Sequence, residues 1–232
     1  MKYSFKMFLL VIIFKFIFLS TISHADNFKS IKVNFSGNLI NAIIPKDYCD
    51  YTNNPVGKEI LNYLNEQSKR NPILPKFKIF FAPCNNLSKG ILYPMGWIGF
   101  QKSIRQFKNQ KSYNNAVSKL MGNTKFIEKY FNEIQESSKE IMREKYDLYL
   151  ETQNISKPKL LWKDNFSITF QAINEESLGD GTKLRTVNVG SSTILRNGII
   201  HTYISNDIKK EPNALKIASI LIENSKVILK SN

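Results

Sequence analysis

The chain has 232 residues, with 33 lysines and arginines against 19 aspartates and glutamates, and a formal net charge of +14. That balance favours anionic partners. Only Arg70, Arg105, Arg143, Arg185 and Arg196 are arginines, however, so bidentate phosphate contacts are scarce and nucleic acid is not an expected partner.

The N-terminus has the three-part layout of a secretory signal. Lys2 and Lys6 give it a positive start, an apolar run from Met7 to Leu19 is broken only by Lys15, and Ser23-His24-Ala25 supplies a small-x-small cleavage pattern before Asp26. A retained membrane anchor would need about 20 predominantly apolar residues, more than this run supplies. The expectation is a signal peptide over residues 1–25 and a single mature domain over 26–232, exported to the periplasm or secreted, with membrane contact only through the uncleaved signal. Losing Lys2, Lys6 and Lys15 leaves 30 basic residues against 19 acidic, and losing His24 leaves His201 as the single histidine.

Residues 31–35 and 39–44 read as a strand pair around Ser36-Gly37-Asn38. Asn54-Pro55 opens a helix over about 56–69 with an apolar stripe of Val56, Ile60, Leu61 and Leu64. A strand at 76–81 follows, then an aromatic segment over 91–100. Cys49 lies before this helix and Cys84 after the strand that returns from it, so both finish at one end of the unit. In an exported protein that predicts a Cys49–Cys84 disulfide, worth about 3.5–4 kcal/mol in the chain-entropy model. Residues 101–121 read as a helix ending at Gly122. A longer helix, capped by Asn123 or Thr124, carries Phe126, Ile127, Tyr130, Phe131, Ile134 and Ile141 at helical spacing as far as about residue 150. The last third returns to strands at about 166–173, 183–195 and 199–205. Asn197-Gly198 is the hairpin signal between the last two, and a final helix opens near Pro212. The predicted fold is α+β: a mainly antiparallel sheet with helices packed on it, order ββαββ-αα-βββα, one disulfide, and a helical insertion at about 101–150.

Ile44-Pro45-Lys46-Asp47-Tyr48-Cys49, Phe80-Phe81-Ala82-Pro83-Cys84 and the hairpin from Ser192 to Gly198 resemble a group of exported bacterial proteins that pair an x-Pro-x-aromatic-Cys element with a second cysteine after a strand. The element order outside the central helices also resembles the fold of PsbP, the extrinsic photosystem protein. The resemblance implies the location and the disulfide and brings no catalytic residue with it.

With one histidine in the mature chain, a multi-histidine zinc site is excluded, and no metal or other cofactor is implied. A Ser-His-Asp hydrolase would depend on His201, which a two-residue Asn197-Gly198 turn would place opposite Ile194; no G-x-S-x-G elbow is present. Two surfaces remain as candidates. Glu175, Glu176 and Asp180 form an acidic loop with Gly179 and Gly181, the basis for a carboxylate hydrolase of envelope glycans. Lys102, Arg105, Lys108 and Lys111, spaced by three beside Trp97, would form a basic helical ridge against an anionic surface. The leading expectation is a non-enzymatic binding or assembly module of the envelope, with an envelope protein or an anionic envelope component as its partner.

Overall fold

Side chains alternate between the two faces of a strand, and in the strand Gly198–Asp207 both faces are covered: Ile200 and Ile204 are buried on one, Ile199 and His201 on the other. The computed structural model describes residues 27–35, 37–91, 93–102, 107–147, 150–178, 180–195, 198–208 and 214–232. The signal segment, Ser36, Arg105, Gly179, Asn197 and Pro212 lie outside them.

In chain order the elements are β1 (Phe28–Phe35), β2 (Asn38–Pro45), β3 (Tyr48–Asp50), α1 (Pro55–Arg70), β4 (Lys76–Pro83), β5 (Met95–Lys102), α2 (Gln110–Gly122), α3 (Thr124–Tyr146), β6 (Leu150–Ile155), β7 (Lys159–Lys163), β8 (Ile168–Leu178), β9 (Lys183–Leu195), β10 (Gly198–Asp207) and α4 (Ala214–Ser231). Strands β1 and β2 form a separate two-stranded ladder. The others form one sheet in the order β3-β4-β5-β10-β9-β8-β6, with β7 paired to the other end of β8. Every pairing is antiparallel. This is the α+β class the hairpin signals indicated. No helix among the described residues is long and apolar enough to cross a membrane.

The caps are the ones the sequence offers. Asn54 Oδ1 accepts from the Val56 amide at 3.0 Å with Pro55 in the first turn, and Asn123 accepts from Phe126 N. Asn109 and Ser112 form a reciprocal capping box. That box corrects the helix expected to begin at residue 101. Gln101 and Lys102 belong to β5, where Lys102 pairs with Gly198, and α2 starts only at Gln110. Three strands escaped the pattern. β3 is three residues long, β7 has no fully buried position, and β6 is the edge strand of the sheet. The helix expected to run to residue 150 stops at Tyr146, with Asp147 in the left-handed region at φ 51°.

The two sheet faces are covered differently. On one, α4 and the β1–β2 ladder close a dense core of Phe35, Ile43, Ile44, Phe81, Phe100, Val189, Ile204 and Leu221. Asn224 Nδ2 on α4 reaches Ile43 O on β2 at 2.7 Å, tying the two covers together. On the other face, α1 packs Leu61 against Phe77 and Phe80, and α2 and α3 lie over the rest. The irregularity between Phe77 and Ile79 in β4 lets Phe77 and Phe80 join one core while Ile79 and Phe81 join the other.

Cys49 on β3 and Cys84 just after β4 are joined, with their Cα atoms 4.7 Å apart and a sequence separation of 35. The bond clamps the edge at which β3 pairs with β4, beside the Cys84 N to Asp47 O hydrogen bond of 3.1 Å. Replacing both cysteines by serine should lower the unfolding free energy by about 3–4 kcal/mol. Urea titration of the oxidised protein beside the double variant measures it, and equal midpoints would show that the clamp adds nothing to stability.

Candidate ligand-binding cavity

The β9–β10 register builds the floor of a cavity. Gly198 pairs with Leu195, so His201 faces Ser192 and Tyr203 faces Gly190. This corrects the expectation that His201 lies opposite Ile194. Gly198 is the first residue of β10, and a Cβ there would sit 2.9 Å from Gln101 O on β5. The glycine serves close strand approach, where the sequence suggested a turn position.

Two cross-strand rows follow from that register. One runs Phe170, Gly190, Tyr203, Trp97, Phe80 across β8, β9, β10, β5 and β4; the next runs Ile168, Ser192, His201, Gly99, Phe77 across the same strands. The Tyr203 ring lies nearly parallel to His201 at 6.3 Å and to Trp97 at 6.0 Å. A Cβ on Gly190 would come within 2.7 Å of the Tyr203 ring, so only glycine allows this row to lie flat. From above, α2 contributes Tyr113, Val117, Leu120 and Met121, and α3 contributes Phe126, Ile127, Tyr130, Phe131 and Ile134. Leu64 and Gln67 of α1 and Ile73, Leu74 and Pro75 after it close one side. The enclosed volume is about 390 Å³, and no aspartate, glutamate, lysine or arginine is among the described lining residues. Ile73 and Leu120 line it while remaining about half exposed, which puts them at its rim.

The helical roof is fastened at both ends. On α2, Gln110 Oε1 accepts from Ile194 N at 2.7 Å and its Nε2 donates to Ser192 O at 3.2 Å. β8 pairs with β9 only as far as Ser192, so this amide continues the ladder where the neighbouring strand has ended. α3 is held to α1 by Arg70, which reaches Glu140 at 2.5 Å and Glu144 at 2.7 Å, and by Gln67, which donates to Ser138 Oγ.

The polar groups inside are uncharged at neutral pH: the hydroxyls of Tyr113, Tyr130, Tyr203 and Ser192, three side-chain amides, the Trp97 indole and the His201 imidazole. Ser192 Oγ lies 2.8 Å from His201 Nδ1. Burial raises the Tyr113 phenol, raises Tyr130 to about 12, and raises Tyr203 further, with Tyr130 and Tyr113 adding to that last shift. Burial also lowers His201 to about 4, so its imidazole is neutral at pH 7. Such a weak base is poorly suited to activate a serine. A catalytic triad would place a carboxylate on the histidine's second nitrogen. Here no carboxylate stands behind the histidine, and His201 Nε2 has no hydrogen-bond partner.

The acidic residues are not brought together. β8 runs on to Leu178, five residues past the expected end, so Glu175 and Glu176 are ladder positions on opposite faces. Glu175 binds Arg185 at 2.5 Å, Glu176 accepts from Gln153 at 2.7 Å and Asn174 at 2.8 Å, and Asp180 caps the turn at Thr182 N. The basic ridge is not a helix face either. Lys102 ends β5, Lys108 precedes α2, and Lys111 lies in its first turn; Arg105 is outside the described residues. Of the residues singled out in the sequence, Trp97 and His201 line the cavity. Ser192 was read only as part of the late hairpin motif, Tyr130 only as part of a helical stripe, and Tyr113 only as a position within a helix. The readable signal was the parity of β10, where the histidine and tyrosine share one face and Ile200 and Ile204 the other. Among the described residues no group of three His, Cys, Asp or Glu side chains is placed to hold a metal ion. No protein-family model matches the chain, and comparison with curated proteins gives no match.

The His201 shift has a consequence for stability. Between about pH 6.5 and 4 the unfolded chain takes up a proton that the folded state refuses. Stability from this group is therefore complete above pH 6.5 and declines as the pH falls through that window, by about 3 kcal/mol between pH 7 and pH 4. Urea unfolding of the wild type and His201→Gln at both pH values isolates the effect from the carboxylates. The stability difference should move by about that amount in favour of the variant at pH 4; a pH-independent difference would mean that the histidine is not buried neutral.

Proposed function

We propose that this protein is an exported, non-enzymatic binding module that holds a small hydrophobic molecule between its sheet and its α2–α3 roof. The observation that carries the reading is the cavity of about 390 Å³ walled by aromatic and aliphatic side chains without a charge among them. Ligand pockets commonly occupy about 300–1,000 Å³ and combine apolar walls with a few polar groups. The walls of this cavity make fewer contacts with one another than the dense core on the opposite face of the same sheet. The neutral, weakly basic His201 and the separated carboxylates support binding over catalysis.

Export is supported by the signal layout of residues 1–25 and the Cys49–Cys84 disulfide, and the envelope is the location of the exported proteins the chain resembles. Protein isolated from its native cells should begin at Asp26 and carry no alkylatable thiol. A native product that retains Met1 and reacts with a thiol reagent without reduction would overturn that part of the proposal.

Binding is tested with 1-naphthylamine, a small probe that is uncharged at pH 7 and whose fluorescence responds to apolar surroundings. It should bind the purified protein saturably. Ala172→Phe, which fills the cavity from β8, should weaken binding at least about tenfold with an unchanged thermal midpoint, because the added ring occupies the volume the probe needs. Equal affinity in a folded Ala172→Phe variant would place the probe elsewhere and remove the cavity as the site.

A further inference from the structure

A buried, unpartnered nitrogen in the cavity wall suggests what the cavity receives, an inference that rests on the binding reading above. Among the described residues eight buried side-chain nitrogen or oxygen atoms have no hydrogen-bond partner, and only His201 Nε2 belongs to the wall of this cavity. His201 is 6% exposed and lies on the cavity face of the central strand, fixed by Ser192 Oγ at its other nitrogen. A buried polar atom without a partner is destabilising, while an apolar ring of similar shape would carry no such cost. Phe or Leu would pack on Tyr203 as well as imidazole does, so packing alone does not account for the histidine.

Three properties of the site narrow the ligand. First, the volume admits about a dozen non-hydrogen atoms at roughly 30 Å³ each. Second, Trp97, Tyr203, Phe170, Phe126 and Phe131 supply flat walls, which favour a ring system over a flexible chain. Third, an ionised group would be stripped of water with no opposite charge to meet it, so fatty acids, phosphates and ammonium compounds fit poorly. We propose that the cavity takes an uncharged ring compound bearing one hydroxyl, and that this hydroxyl hydrogen-bonds His201 Nε2. A hydroxyl both donates and accepts, so it pairs with Nε2 in either tautomer of the imidazole that Ser192 Oγ holds at Nδ1.

The test compares 2-naphthol, naphthalene and 2-naphthoate on the purified protein at pH 7, by calorimetry. Naphthol should bind at least about tenfold more tightly than either of the others, because only it pairs the lone nitrogen without carrying a charge into the site. In His201→Phe, naphthol and naphthalene should bind alike. If that variant does not fold, histidine labelled with ¹⁵N in the unaltered protein decides. The Nε2 resonance should move on adding naphthol and stay in place on adding naphthalene at equal occupancy. Equal affinities for naphthol and naphthalene in the wild type, or an Nε2 signal indifferent to naphthol, would overturn the hydroxyl assignment and leave the cavity reading standing. Tightest binding of naphthoate would overturn the requirement for a neutral guest. Failure of all three to bind would remove the cavity reading itself.

Discussion

The pairing register of β9 with β10 is the constraint on which the rest of the molecule depends. Side chains on a strand have a period of two, so moving one partner by a single residue exchanges its faces. In the observed register Ile200 and Ile204 enter the dense core under α4, and His201 and Tyr203 face the helical roof. A slip of one position would push an imidazole and a phenol into the packed layer and turn isoleucines toward the cavity. Burial on both sides holds this register, and Gly198 secures it where β10 meets β5 too closely for a side chain.

The unequal covering of the two faces has a chain-path explanation. α4 follows β10 and lies along the sheet, with Asn224 bonded to β2 and Ser225 bonded to Ser191 of β9. The α2–α3 pair must instead span from β5, near the middle of the sheet, to β6 at its edge. α3 rests on α1 through Arg70, Gln67 and the Lys145–Glu66 pair, and its aromatic residues reach down toward the strands without filling the space. Exposed ion pairs are individually worth about 0–1 kcal/mol. Their role here is to set where the helix sits, and the buried aromatic surface contributes most of the stability.

Much of this was legible in the sequence. Cys49 and Cys84, the Asn54-Pro55 and Asn123 helix starts, the stripe of α1, the β1–β2 ladder and the antiparallel α+β class all follow from local chemistry that acts within a few residues. The failures share a different origin. The β9–β10 register depends on a third strand, because the close approach at Gly198 comes from β5, and Asn-Gly therefore suggested the wrong turn position. β6 and β7 lie at an edge, and their short sequences, LETQNI and KLLWK, do not alternate between polar and apolar residues. The cavity was hidden for a related reason. The spacing of Phe126, Tyr130, Phe131 and Ile134 shows which side of α3 faces inward, and it carries no information about how far away the opposing surface is. Periodicity gives direction, and distance comes only from the assembled fold.

Gln110 gives the roof an asymmetry. Its side-chain amide occupies the place of a missing strand on β9, so raising the first turn of α2 would strip partners from Ser192 O and Ile194 N as well as from the amide itself. The far end of the same helix has no comparable attachment to the sheet among the described residues, and there Leu120 sits on the rim, which Ile73 also helps to form. The helix is thus pinned at its start and least costly to displace at its finish. A guest would gain admission at the Ile73–Leu120 lip, with the Gln110 end as the pivot of the door.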